Sequence, residues 1–269
     1  MLEIKGLDSI TRFDGKLTIT EQDAKAAADS LAEWSALKAK AQSLVISRTQ
    51  GAPDWMNIRG ITVALDAHRG FTTKAAYDSD NLIINCKVES PFELTNSIQE
   101  TQMLFKGGNA IDLQLATDPK ADPKRDKPAP GDIRVLITRR DGKPVAVVYR
   151  HKVAVRPGTV AAQPTVFTSP TGKESIDQIE AWDDIALAYE KTETGFTAIA
   201  TLPLAKLGWK PVPGTTVKMD AGYLFGNQTG NATSARAYWT NHSFTSGVTA
   251  DVPHESRIEP NQWGLATVE

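Results

Sequence analysis

The densest run of side chains that could recognise a ligand is Arg236-Ala237-Tyr238-Trp239-Thr240-Asn241-His242. Read as a strand, it puts Trp239 and Asn241 on one face and Arg236, Tyr238 and Thr240 on the other, because successive side chains alternate. An indole face beside amide and guanidinium groups is the set that holds a sugar ring. The aromatic face covers C–H surfaces and the polar groups reach neighbouring hydroxyls. The same run can serve the fold instead, with Trp239 plugging the core and Asn241 closing a turn. Asp112 is the other candidate ligand residue. It lies in Ala110–Ala116, where Ile111, Leu113 and Leu115 alternate with Asp112, Gln114 and Ala116. That period of two marks a half-buried strand with one polar face. Arg134, in the next apolar run, is the expected cross-strand partner of Asp112.

Carboxylates and amides collect in the intervening loops: Asp118, Asp122, Asp126 and Asp132, then Asp177, Asp183 and Asp184, then Asp220, Asn227 and Asn231. Calcium is held by several oxygen ligands, and loops of this composition supply them. A structural calcium is therefore one expectation, and solvated or ion-paired loop charges the other; no EF-hand spacing is present. Nothing points to an enzyme. There is no Gly-x-Ser-x-Gly, His-Glu-x-x-His, Walker loop or dinucleotide fingerprint. His68, His151, His242 and His254 are scattered. There is no Cys-x-x-Cys-His for covalent haem. Cys86 is the single cysteine, so neither an internal disulfide nor a cysteine zinc cluster can form.

A chain of 269 residues suits one large β domain or two smaller ones. A net charge of -2 gives no reason to expect nucleic acid or an anionic membrane as partner. No run approaches the ~18 apolar residues of a membrane span, so none is expected. The opening residues lack a basic stretch followed by an apolar core, so no signal peptide is expected in this sequence.

The elements that must position these residues are mainly strands. One helix is predicted over 20–43, from a Thr20 cap with Ala27, Leu31, Trp34 and Leu37 on its apolar stripe. It belongs to an N-terminal extension, 1–54, packed on or inserted into the domain that follows. From 55 to 269 short β-rich runs alternate with turn signals such as Arg140-Asp141-Gly142-Lys143 and Glu193-Thr194-Gly195. Asp141-Gly142 suits the positive φ of a tight hairpin. A helical turn is predicted after Leu202, with Pro203 at its start and Gly208 at its stop. Pro119, Pro123, Pro128 and Pro130 make the segment between the runs of Asp112 and Arg134 a surface loop, of which Ala121–Pro130 is expected to be mobile and exposed. A dozen short strands without long intervening helices predict an all-β protein, an antiparallel β-sandwich of immunoglobulin or jelly-roll type with one N-terminal helix.

Several longer segments carry a family resemblance. These are Gly108-Asn109-x-x-Asp112, Ala200-x-Leu202-Pro203-Leu204-x-x-Leu207-Gly208, Tyr238-Trp239-x-Asn241 and Pro260-x-x-Trp263-Gly264. With their order along the chain, residues 55–269 resemble the family 9 carbohydrate-binding-module-like domains of the DOMON-like β-sandwich group. The resemblance implies a non-catalytic module for polysaccharide or oligosaccharide, sometimes with structural calcium. It also implies attachment to other domains of a larger extracytoplasmic bacterial protein. Trp239 matches the motif position for a sugar-stacking aromatic, and Asn241, Arg236 and Asp112 are its expected polar partners. The other readings are a structural or interaction domain that keeps the fold without a sugar site, and, since the resemblance extends to DOMON-like domains that bind b-type haem through Met and His or Lys, a haem-binding domain using Met103 or Met219.

Overall fold

The computed structural model describes residues 2–5, 10–13, 42–154, 163–170, 172–242 and 251–269. The chain divides into two compact units, 1–41 and 42–269. In the first, β1 (Leu2–Lys5) and β2 (Ile10–Phe13) pair antiparallel. The helix predicted over 20–43 lies outside the described residues except for Gln42 and Ser43, which are not helical.

The second unit opens with β3 (Val45–Arg48), so residues assigned from sequence to the N-terminal extension belong to its sheet. Then come β4 (Ile61–Ala64), β5 (Gly70–Tyr77), β6 (Asn81–Glu89), β7 (Ala110–Ala116), β8 (Asp132–Arg140) and β9 (Lys143–Arg150). They are followed by β10 (Thr165–Ser169), β11 (Gly172–Ile176), β12 (Gln178–Trp182), β13 (Ala186–Lys191), β14 (Gly195–Pro203), β15 (Thr216–Gly226), β16 (Thr233–Tyr238) and β17 (Gly264–Val268). Two short helices interrupt them, α1 (Leu204–Leu207) and α2 (Val252–Ser256).

The fold is an all-β sandwich built from one curled 13-stranded sheet in the order β12-β9-β8-β7-β15-β17-β3-β5-β6-β14-β13, with β16 on β15 and β4 on β5. Its two halves face each other across one core, which takes Ile111, Val135 and Tyr223 from one half and Phe71, Ile84 and Ala200 from the other. The rings of Phe71 and Phe196 lie 6.4 and 6.2 Å from that of Tyr223 and tie the halves together. Among the described strands of this sheet, only β3 pairs in parallel, with β17 and with β5. It closes the seam between neighbours distant in the chain, where no hairpin imposes an antiparallel direction.

Local chemistry forms the predicted turns. Asp141 (φ 51) and Gly142 (φ 76) join β8 to β9. Gly208 (φ 73) ends α1 by donating its N–H to the carbonyls of Leu204 and Ala205. The loop between β7 and β8 is largely exposed, yet it is pinned: Arg125 turns inward to an ion pair with the buried Asp132, and Lys218 Nζ donates to the Pro123 carbonyl at 2.6 Å. Trp182, Trp209 and Trp263 are all buried. Met219 is part of the main core, and Met103 packs against a second cluster.

That second cluster lies on the outer face of β7, β8, β9 and β15. Leu136, Val147, Tyr149 and Leu224 of the sheet meet Phe105 of the 3₁₀ turn Thr101–Lys106 and Phe167 and Ile176 of the β10–β11 hairpin. Neither β10–β12 nor α2 is among the elements expected from sequence, and these elements decide what the polar strand faces see.

Candidate functional site

Alternation along β7 and β8 sends Ile111, Leu113, Ile133 and Val135 to the core and Asp112, Gln114 and Arg134 to the other face. Asp112 opposes Leu136 and Gln114 opposes Arg134, so the expected Asp112–Arg134 pair is diagonal. Arg134 Nη2 donates to Asp112 Oδ2 at 2.7 Å, and Nε lies 3.1 Å from both carboxylate oxygens. The Tyr238 hydroxyl donates to the same carboxylate at 2.6 Å. The Tyr238 ring lies on Gly222 of β15, where a Cβ would collide with it. Burial pulls the Arg134 guanidinium toward neutrality, but the Asp112 carboxylate more than reverses this, and it stays charged. Burial raises the Tyr238 phenol well above its ordinary range.

Arg236 faces the same side from β16. Its Nη2 donates to the Phe105 carbonyl at 2.7 Å and to Glu255 Oε2 of α2 at 2.8 Å. Lys106 Nζ reaches the same Glu255 oxygen at 3.0 Å. Asp112, Arg134, Arg236 and Glu255 expose 0, 1, 6 and 2% of their surface. In this arrangement Asp112 and Arg236 cannot touch a ligand in solvent, contrary to the sequence expectation. They are polar because the sheet face is roofed by polar as well as apolar parts of the chain.

Trp239 and Asn241 do not share a ligand face either. Trp239 is half-buried at the edge of the core, with Nε1 donating to the Gln42 carbonyl at 2.9 Å. Its six-membered ring lies against Gly264, where a Cβ would come within 2.9 Å. Asn241 is fully buried; its N–H donates to Asp220 Oδ2 at 2.8 Å and its Nδ2 to Glu259 Oε2 at 3.1 Å. Asp220 also accepts the N–H groups of Ala221 and Thr240, at 2.9 and 3.0 Å. Burial pushes its carboxyl up to about 7, against the lowering effect of these donors. The four expected ligand residues are therefore split between two places, and only Trp239 keeps exposed surface.

An open groove of about 780 Å³ lies elsewhere, at the sandwich end formed by the β4–β5 turn, the segment after β6 and the β13–β14 turn. Phe92 and Tyr189 are its half-exposed aromatic groups, and Glu89, Glu93, Glu193, His68 and Lys191 stand exposed around them. Glu93 and Lys191 form an ion pair across it. The Arg139 guanidinium lies over the Tyr189 ring at 4.7 Å from its centroid, and Phe196 packs against that ring at 5.2 Å, so the ring is fixed before any ligand arrives. At the turn, Thr192 N–H donates to the Gly195 carbonyl at 2.9 Å and Ser90 N–H to the Thr194 carbonyl at 3.1 Å. A Cβ at Gly195 would run into the Val88 carbonyl, so only glycine lets β14 approach β6 this closely. Sequence reading found the Glu193-Thr194-Gly195 turn but not the groove, because Phe92 and Glu89 come from a segment far away in the chain.

Among the described residues no three His, Cys, Asp or Glu side chains form a metal-ligand group. Several loop carboxylates named from sequence have cationic partners instead: Asp132 with Arg125, Asp177 with Lys152 and Asp184 with Lys206. His151 is buried against the Ser256 carbonyl at 2.9 Å, and burial pushes it down to about 4.

No family model and no curated protein matches the chain. Solved structures are similar to it. One is a family 9 carbohydrate-binding module from Caldicellulosiruptor kristjanssonii in complex with glucose, at 12% identity and TM-score 0.45 over 83% of this chain and 95% of that one. The same kind of module from that organism in complex with cellotriose gives 13% identity and TM-score 0.47 over 84% and 93%. A protein of Bacteroides uniformis gives 12% identity and TM-score 0.41 over 85% of this chain and 99% of that one.

Proposed function

We propose that the unit formed by residues 42–269 is a non-catalytic saccharide-binding module, and that its ligand lies in the groove between Phe92 and the β13–β14 turn. One observation carries the reading: this groove joins the half-exposed Phe92 ring and the fixed Tyr189 ring to exposed carboxylate, imidazole and ammonium groups in one open concavity. Phe92 offers an apolar face for the C–H side of a sugar ring, and Tyr189, held between Arg139 and Phe196, adds only the exposed part of its ring edge. Glu89, Glu93 and Glu193 accept from paired hydroxyls, and His68 and Lys191 donate. About 780 Å³ is room for a short saccharide. Attachment to further domains of a larger extracytoplasmic protein, inferred from the sequence resemblance, belongs to the same reading. Calorimetric titration with a panel of oligosaccharides tests it. Binding is expected for the unaltered protein and is lost in Phe92→Ala and Glu93→Gln, with both variants folded. Silence across the panel, or binding that both variants keep, refutes it.

The alternative, a structural or interaction domain without a sugar site, is favoured by the roofed polar face, where Asp112, Arg134, Arg236 and Glu255 bind one another.

A further inference from the structure

The helix α2 is five residues long and has little stability of its own. Much of its hold is polar: Arg134 Nη1 of the sheet donates to the Glu255 carbonyl at 2.7 Å, His151 Nε2 just after β9 meets the Ser256 carbonyl at 2.9 Å, and Ser169 of the β10–β11 hairpin bonds Asp251. Such bonds are exchanged for water when the element lifts, so their net contribution is modest. What α2 brings to the sheet is one carboxylate, Glu255, placed between Arg236 and Lys106.

Take that carboxylate away and the charges no longer balance. Asp112 is already engaged by Arg134 and Tyr238. Arg236 and Lys106 would then face each other's positive charge with no anion between them. On the sheet's side, the geometry is that of a site for a carboxylate. The occupant does not use it fully. Arg236 Nε and Glu255 Oε1 are buried and have no hydrogen-bond partner among the described residues. A buried ion pair with an idle donor and an idle acceptor recovers its desolvation cost poorly. Lys106 keeps 29% of its side chain exposed, which leaves one edge of the cluster open to solvent.

We infer that the polar sheet face beneath α2 is a second binding site, for a carboxylate-bearing ligand, and that Glu255 is a tethered mimic of that ligand which holds it shut. A uronic acid residue suits it: its carboxylate replaces that of Glu255 on Arg236 and Lys106, and a ring hydroxyl accepts from the idle Arg236 Nε. This site is separate from the open groove and stands whether or not a sugar binds there.

The test is Glu255→Gln in the whole chain, which keeps the shape and removes the charge. Titrated with galacturonate, its methyl ester and acetate, the variant is expected to bind galacturonate roughly tenfold or more tighter than the unaltered protein does, because the buried Arg236 and its neighbour Lys106 have lost their anion. The ester should gain nothing. A gain for acetate equal to that for galacturonate supports the carboxylate site with no preference for sugar. If the variant is too unstable to titrate, its melting temperature should rise with millimolar galacturonate or acetate but not with chloride or glucose. A folded variant with no gain for either carboxylate, or an unstable one rescued by none, overturns the inference.

Discussion

The roofed sheet face and the open groove are built from the same kinds of side chain, with opposite consequences. Under α2, Asp112, Arg134, Arg236 and Glu255 are nine-tenths or more buried and turn on one another. In the groove, Glu89, Glu93, Glu193, His68 and Lys191 stand in solvent around two aromatic rings. Charges taken out of water must be matched within the protein, and matching leaves them bound to their partners. Charges left in water need no partner, and where two of them pair, as Glu93 and Lys191 do, the exposed pair is weak enough to yield to a ligand. The difference teaches that polarity on a strand face does not locate a ligand; cover does.

The comparison breaks first at Arg134. Arg134→Met leaves the buried Asp112 without its cation and should cost about 3–5 kcal/mol in denaturant unfolding. The double variant Arg134→Met, Asp112→Leu should recover most of that loss, because no lone charge remains. A single-variant loss below ~1 kcal/mol would mean that water reaches Asp112 and that the roof does not seal the face.

Asp220 sharpens the point through pH. It is as buried as Asp112 but is met by backbone N–H groups rather than a cation. Its carboxyl sits at about 7 in the folded protein against 3.8 ordinarily, so between those values the folded state holds a proton that the unfolded state has released. Stability from this group is therefore complete at acid pH and declines as pH rises through the window, by up to about 4 kcal/mol. His151 acts the other way. Buried at about 4 against 6.5, it stays neutral where the unfolded chain takes up a proton, so its effect is loss of stability as pH falls. Melting curves from pH 4 to 8 should show Asp220→Asn gaining on the unaltered protein as pH rises. Parallel curves would show that Asp220 is charged throughout.

A smaller effect is expected from Gly222→Ala. The added methyl meets the Tyr238 ring and draws its hydroxyl from Asp112, at a cost of about 1–3 kcal/mol. The groove lies at the low end. Phe92→Ala and Glu93→Gln should each change stability by less than ~1 kcal/mol, since both residues keep contact with water. A loss as large as that of Arg134→Met would make the groove a structural seam and remove the contrast between the two regions.

What the sequence by itself determined is local. The alternation of Ile111, Leu113 and Leu115 with Asp112 and Gln114 assigned β7 its two faces, Asp141-Gly142 set the hairpin, and Pro203 and Gly208 bounded α1. Each depends on backbone preferences or on a period of two within a few residues. The tertiary structure alone decided which polar face is covered. Arg134 meets the carbonyl of Glu255, 121 positions later, and Trp239 meets the carbonyl of Gln42, 197 positions earlier. Alternation says that Arg236 and Trp239 point in opposite directions, but a short helix arriving from the far end of the chain determines which of them water reaches. The groove was hidden for the same reason: Phe92 and Tyr189 are neighbours only because β6 pairs with β14 and β14 with β13. Strand pairing across long loops depends on the burial of the whole sheet, and no window of sequence contains it.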